Sequence, residues 1–138
     1  VELEPSANAE YAIGEYLSEF CEFVELDGYQ VIAGNMKWSE AKVRVYSKYV
    51  GRIMDNLVSN IKKYADKDYP IILEVKNDKN TIQIVFENQK NTKKEYVEGT
   101  GIGIQNIKNM MEQMEGKSEI INNENTYAIV LSFPIYIE

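Results

Sequence analysis

The stretch "EGTGIGIQNI", residues Glu98–Ile107, places three glycines at every second position where a helix begins. Glycine there costs stability, because it loses more backbone freedom on folding than any other residue. The chain has only eight glycines in 138 residues. Backbone N–H groups without neighbouring side chains can approach an anion closely, and the helix dipole favours negative charge at this end. The run therefore predicts either a phosphate cradle or a tight turn that leads into a helix.

The spacing of these glycines excludes two common nucleotide-binding motifs. G-x-G-x-G differs from the G-x-G-x-x-G dinucleotide fingerprint, and it follows a polar loop rather than a strand. No Gly-Lys-Ser/Thr follows the run, so it is not a Walker A loop.

A second informative stretch is "YVGRIMDNLVSNIKKYAD", residues Tyr49–Asp66, which has the pattern of an amphipathic helix. Asn56, Asn60 and Lys63 fall in line on the seam between its apolar and polar faces, with Tyr64 beside them. The two asparagines could bond each other or a nearby loop. Alternatively, their carbonyl oxygens face a cavity that holds a divalent cation and a phosphate together with Lys63. The apolar arc of this helix consists of Val50, Ile53, Met54, Leu57 and Ile61.

The remaining chain predicts alternating helices and hairpins. We expect a helix from Asn8 to Leu26, short strands in "DGYQVIA" and "AKVRVY", and a helix from an N-cap at Ser47 to Ala65. A hairpin follows in "YPIILEVKNDKNTIQIVFEN", then a polar loop, a helix that ends near Gly116, and two closing strands. This order predicts an α+β fold, a two-layer α/β sandwich whose mixed, mostly antiparallel sheet carries its helices on one face.

The composition excludes several classes of function. A formal net charge of −7 argues against general binding of nucleic acids or anionic membranes. One cysteine permits no internal disulfide, and without histidine there can be no Ser-His-Asp triad and we expect no zinc cluster. No apolar stretch approaches the roughly 20 residues that cross a bilayer. The chain has no initiator methionine, and we expect it to be one domain of a longer protein.

Two boxes in the expected order carry a family resemblance. "DNLVSNIKKY" resembles the N box, and "GTGIGIQNIK" the second glycine box, of the ATP-binding domain of sensor histidine kinases. That domain shares a superfamily with gyrase, a heat-shock chaperone and the mismatch-repair ATPases. The resemblance covers nearly the whole chain, from "VELEP" to "LSFP", and implies that residues 1–138 form one domain with a Bergerat-type fold. It implies that the chain binds ATP and Mg²⁺ and donates the γ-phosphate to a histidine on a separate helical dimerisation domain.

The resemblance also implies partners and a location. A response regulator would act downstream, and this piece of the protein would be monomeric, with no nucleic-acid partner. It would be a cytoplasmic domain, with upstream segments anchoring the full protein in the bacterial plasma membrane.

The family pattern assigns a role to each matching residue. It makes Asn60 the ligand of Mg²⁺, with Asn56 assisting at the same phosphates. Lys63 would pair with a phosphate, and Tyr64 would flank the adenine or ribose. Backbone groups of the second glycine box would wrap the phosphates; these are Gly99, Thr100, Gly101, Ile102, Gly103 and Ile104.

Three departures from the family keep other functions open. Asn88 stands where an aspartate normally bonds the adenine amino group, and no glycine follows it. The loop from Asn88 to Gly99 is short, which implies a small lid, and the chain contains no phosphoacceptor histidine. A degenerate domain that acts as a docking module is therefore one alternative. An anti-sigma-factor-type serine kinase or a mismatch-repair-type ATPase is another, although those commonly carry a glutamate base where this chain has Asn56.

Overall fold

The computed structural model describes residues 1–92 and 101–137. Gly99, Thr100 and most of the predicted lid lie outside these residues. Three helices are present in the described ranges: α1 (Ala9–Leu26), α2 (Ser47–Tyr64) and α3 (Ile102–Gln113). The strands are β1 (Ala7–Asn8), β2 (Val31–Met36), β3 (Lys42–Val43), β4 (Ile71–Asn77), β5 (Thr81–Gln89), β6 (Lys117–Asn122) and β7 (Thr126–Pro134).

Five strands form one mixed sheet in the order β2-β4-β5-β7-β6. The β4–β5, β5–β7 and β6–β7 pairs are antiparallel, and β2 lies parallel to β4 at one edge. The predicted α+β sandwich is therefore confirmed. The strand predicted in "AKVRVY" is shorter than expected and does not join this sheet, because β3 pairs with β1 in a separate two-stranded ribbon.

The core lies between the helices and one face of the sheet. Alternate residues of each central strand point into it, as Ile82, Ile84 and Phe86 of β5 show. The apolar arc predicted for α2 is buried as expected. Phe20 of α1 packs edge-on against Phe86, with 5.0 Å between ring centroids, and so ties the first helix to the central strand. None of the helices in the described residues is long and apolar enough to cross a membrane.

The start of α2 differs from the sequence prediction. Ser47 is the first helical residue rather than the N-cap, and the N-cap Tyr46 makes no side-chain capping bond. The carboxylate of Glu4 takes this role instead: it accepts hydrogen bonds from the Ser47 backbone N–H at 3.0 Å and from the Ser47 hydroxyl. A distant acidic residue thus satisfies the helix start, where negative charge is favoured.

The end of α3 also differs from its prediction. Glu115, not Gly116, occupies the left-handed position, with φ +64°. Its N–H donates to Glu112 at 3.0 Å and the Gly116 N–H donates to Met111 at 2.8 Å, the two bonds of a Schellman motif. Gly116 is required for another reason, because a Cβ there would lie 2.6 Å from the Ser132 carbonyl oxygen.

Candidate nucleotide-binding site

The main cavity has a volume of about 490 Å³ and lies between α2, the start of α3 and the ends of the central strands. Eight of the residues predicted for the site line it: Asn56, Asn60, Lys63, Tyr64, Gly101, Ile102, Gly103 and Ile104. The structure therefore brings together the two boxes of the sequence, although the chain between them forms a complete hairpin.

The α2 wall of the cavity is made by residues at helical spacing. Asn56, Asn60 and Lys63 follow one another along the seam, and Tyr64 is half-buried beside them. The Asn60 side chain lies beside the hydroxyl of Tyr127 on β7 and interacts with it. Burial raises the pKa of Tyr127, while the interaction with Asn60 lowers it and Tyr64 raises it further. Asn60 is thus contacted from across the cavity by a strand residue.

The opposite wall is the N-terminus of α3. Gly101 is the N-cap, in the left-handed conformation with φ +72°, and its carbonyl accepts the first helical bond from Gln105 at 3.0 Å. A Cβ at Gly103 would lie 3.7 Å from Asn56 Oδ1, so the two walls approach each other here. The N–H groups of the first helical turn have no partners within the helix. A helix N-terminus that lines a cavity in this way can bind an anion.

The charge of the cavity is opposite to that of the chain. Its described lining includes two lysines, Lys63 and Lys90, and no aspartate or glutamate, whereas the whole chain carries −7. The Lys90 ammonium donates to the Asn123 carbonyl, which holds it at the end of β5. Such a site suits an anionic ligand.

The ends of α2 and β5 are joined, and this fixes the floor of the cavity. The Asp66 N–H donates to Gln89 at 2.9 Å, and the Asn91 N–H donates to Tyr64 at 2.8 Å. The Tyr29 hydroxyl contacts the Ile61 and Ala65 carbonyls at 3.1 and 3.3 Å, at the last turn of α2. Tyr64 and Lys90 are therefore held on a rigid junction rather than on a free loop.

Asn88 lies on the core face of β5, as strand alternation predicts, and is 6% exposed. Its side-chain amide donates to the neighbouring Gln89 carbonyl at 3.0 Å. It is opposite Tyr127 in the β5–β7 register. Asn88 is not among the described residues that line the main cavity, whereas its register partner Tyr127 and the nearby Lys90 are.

Four lining residues were not identified from the sequence. These are Ser59, Lys90, Asn122 and Tyr127. Strand alternation could have predicted the inward position of two of them. Lys90 continues the alternation of Phe86 and Asn88, and Tyr127 continues that of Ile129 and Leu131. Asn122 reaches the cavity only because β6 pairs with β7, with Asn122 opposite Tyr127.

The donor set fits a magnesium ion that arrives with a ligand. Mg²⁺ prefers oxygen ligands and commonly keeps several waters while binding few protein groups and the phosphates of a substrate. Asn56 and Asn60 offer amide oxygens at the cavity wall. No group of three or more His, Cys, Asp or Glu side chains in residues 1–92 and 101–137 could hold a resident metal.

Comparison with known proteins agrees with this geometry. A family model described as the GHKL domain matches residues 43–134, which is more than half of the chain. The chain belongs to the GHKL domain family. The match includes α2 and the start of α3. Every described residue that lines the main cavity lies within the matched range.

One relative extends the comparison to a longer protein. This GHKL domain is 32% identical over 94 residues to the sensor histidine kinase YrkQ of Bacillus subtilis, and the match covers 68% of this chain. The same match covers 22% of YrkQ, so the chain spans about a fifth of that relative's length.

Solved structures show the same fold. The catalytic domain of the histidine kinase ThkA superimposes with a TM-score of 0.75, at 16% identity and over 100% of both chains. The histidine kinase AdeS of Acinetobacter baumannii gives a TM-score of 0.72 at 10% identity, over 99% of this chain and 70% of that one. The predicted resemblance to the catalytic domain of sensor histidine kinases is confirmed.

Proposed function

We propose that this GHKL domain binds ATP with Mg²⁺ in the main cavity and donates the γ-phosphate to a histidine on a separate helical dimerisation domain. The observation that supports this most is the pairing of the α2 seam with the N-terminus of α3 across a cavity lined by two lysines and no carboxylate. Residues 1–138 would form one catalytic domain of a longer sensor kinase, with a response regulator as the eventual phosphate acceptor.

Each wall would have a distinct task. The N–H groups of Gly101–Ile104 would donate to phosphate oxygens, and Lys63 and Lys90 would neutralise charge at the cavity edge. Asn60, oriented by Tyr127, would hold Mg²⁺, with Asn56 beside it. When bound, Mg²⁺ neutralises charge that develops on the phosphates during transfer. Tyr64 would flank the adenine or ribose, and Gly99 and Thr100 would complete the cradle.

Because the chain contains no histidine, the histidine that accepts the phosphate would have to lie outside residues 1–138. Phosphoryl transfer depends mainly on positioning and charge neutralisation, so the nucleophile can come from another domain. Asn56 is an amide with no useful basicity, which suits an intrinsically nucleophilic histidine better than a serine or water that needs a base. This favours a histidine kinase over a serine kinase or a mismatch-repair-type ATPase.

ATP binding is the first test of the proposal. Calorimetric titration with and without Mg²⁺ should show binding that depends on the metal. Asn60→Ala should weaken Mg-ATP binding by about fivefold to a hundredfold, as expected for losing one polar ligand worth about 1–3 kcal/mol. Asn109→Ala on the exposed face of α3 is the matched control. Equal affinity of Asn60→Ala and the parent would reject the metal assignment.

Phosphotransfer is the second test. With labelled ATP, this chain alone should acquire no acid-labile phosphate, because it contains no histidine. The full-length protein should carry acid-labile label outside residues 1–138. Acid-stable label on this chain would support a serine kinase, and absence of any nucleotide binding would support the docking module.

The base contact needs its own test, because Asn88 differs from the family aspartate. A neutral amide can accept a hydrogen bond from an adenine amino group, but more weakly than a carboxylate. We expect modest affinity with adenine preferred over guanine. Asn88→Asp should keep or tighten binding, and Asn88→Leu should remove the preference. Unchanged preference in Asn88→Leu would mean that Asn88 supports the strand and does not read the base.

A further inference from the structure

A second groove lies between α1 and the edge of the sheet. Its volume is about 490 Å³, and none of its lining residues lines the main cavity. Leu17 and Cys21 of α1 form one wall, Met36 of β2 and Leu73 of β4 the other, and Trp38 one end. The groove opens to solvent beside Met36, which is 36% exposed. It is an apolar groove next to a sheet edge.

Gly14 keeps this groove open. It lies within α1, where glycine is less favourable than alanine because it loses more backbone freedom on folding. The fold does not require it, because a Cβ at Gly14 would lie 3.7 Å from Glu10 Cγ and 3.9 Å from Trp38 Cζ2, which are ordinary contacts. The helix therefore gives up stability at a position where a side chain would occupy the groove. This points to a use for the open space.

The groove has an acidic border. Helix α1 contains five glutamates and no lysine or arginine. Glu10 lines the groove. Glu25 and Glu22 lie close enough to Cys21 to raise the pKa of its thiol, after the larger effect of burial. Within residues 1–92 and 101–137, no ion pair neutralises these carboxylates. The basic residue next in sequence to the groove residues Met36 and Trp38 is Lys37.

We propose that this groove binds a basic amphipathic segment of a partner protein. Apolar side chains of the segment would fill the space beside Gly14 and Trp38, and its lysines or arginines would face Glu10 and Glu25. An apolar floor combined with carboxylates on the border fits such a segment better than an acidic or a purely apolar one. The groove shares no lining residue with the main cavity, so the two surfaces are separate.

Two single residues in the groove allow a direct test. Trp38 is the only tryptophan and Cys21 the only cysteine of the chain. The probe is a synthetic helical peptide of leucine and lysine with one apolar face. It should change Trp38 fluorescence saturably and slow alkylation of Cys21. A scrambled peptide of the same composition and a leucine–glutamate peptide should do neither.

Matched variants separate the groove from the overall negative charge. Glu10→Lys should weaken binding of the leucine–lysine peptide by about threefold to tenfold, the size expected for a charge at the border of an interface. Glu19→Lys makes the same change in net charge, but helical spacing places Glu19 on the far side of α1 from Gly14. It should alter binding by less than about twofold.

Filling the groove is the third arm of the test. Gly14→Leu should abolish the fluorescence change while leaving thermal unfolding and ATP binding intact. Gly14→Ala, whose methyl group makes only ordinary contacts, should fold at least as well as the parent and bind the peptide more weakly. Equal losses in Glu10→Lys and Glu19→Lys, or undiminished binding by Gly14→Leu, would overturn the proposal. So would a Trp38 signal that depends on protein concentration alone, which would identify a second copy as the occupant.

Discussion

The hydroxyl of Tyr127 on β7 lies beside the side chain of Asn60 on α2 and interacts with it. This contact links the sheet to the helix at the wall of the main cavity, which both residues line. A side-chain amide on a helix seam can rotate unless a partner restrains it. Tyr127 is therefore the described residue across the cavity that can restrain the Asn60 side chain.

Removing this hydroxyl tests that relationship. Tyr127→Phe keeps the ring but leaves Asn60 without its partner. We expect Mg-ATP to bind about threefold to tenfold more weakly, because a hydrogen bond of this kind contributes about 1 kcal/mol. Calorimetric titration measures the effect. Tyr136→Phe on the exposed end of the chain is the control and should leave the affinity unchanged. If both variants bind equally well, Asn60 needs no orientation from β7.

The two described glycines at the start of α3 should respond differently to alanine. Gly101→Ala places a side chain at φ +72° and should cost about 1 kcal/mol in the free energy of unfolding. Gly103→Ala meets no clash, since its Cβ would lie 3.7 Å from Asn56 Oδ1. Urea denaturation should therefore separate the two variants in stability.

Ligand binding gives the complementary result for the same glycines. Both substitutions should impair ATP binding far more than adenosine binding, because only the phosphates would use these backbone donors. Parallel titrations with ATP and adenosine test this. Equal losses for the two ligands would show general damage to the fold rather than loss of a phosphate cradle.

The end of α3 offers a test of stability away from the site. Glu115 has a φ of +64°, a left-handed conformation that glycine adopts without strain and other residues adopt only with strain. Glu115→Gly should raise the free energy of unfolding by about 0.5–1 kcal/mol. Gly116→Ala should lower it by about 1–3 kcal/mol, because the new Cβ would press on the Ser132 carbonyl. Destabilisation by Glu115→Gly would contradict the assignment of the left-handed residue.

Stability should fall in alkaline solution. The Tyr29 pKa is raised from 10.0 mainly by burial and also by Asp27 and Asp66. The Cys21 pKa is raised from 9.0, again mainly by burial. Because these pKa values are raised in the folded protein, it holds the two protons more tightly than the unfolded chain does. Their stabilisation is therefore complete below about pH 9 and is lost as pH rises through the raised values.

Urea denaturation at a series of pH values measures this decline. Tyr29→Phe should lose about 1 kcal/mol at neutral pH, because its hydroxyl bonds the last turn of α2. The same variant should also show a shallower alkaline decline than the parent. A decline of unchanged slope in Tyr29→Phe would assign the titration to other groups.

Local patterns predicted most of the elements. Alternation in β4 and β5 and the apolar arc of α2 identify buried faces, because the strand and helix periods are properties of the chain alone. Side-chain contacts between distant segments were not predictable in this way. Glu4 caps α2 in place of the expected Ser47, through a tertiary contact between distant segments. Helix α3 ends at Gln113, before the expected Gly116, and Glu115 takes the left-handed position.

Local sequence patterns were sufficient to predict the fold class, the two boxes and the seam that carries Asn56, Asn60 and Lys63. These follow from periodicity and from glycine spacing, which act over a few residues. Tertiary structure alone decided that β2 lies parallel to β4 and that Tyr127 and Lys90 join the cavity. It also left a groove beside Gly14. Strand order and cavity shape depend on which distant surfaces pack together, and short-range patterns do not specify that choice.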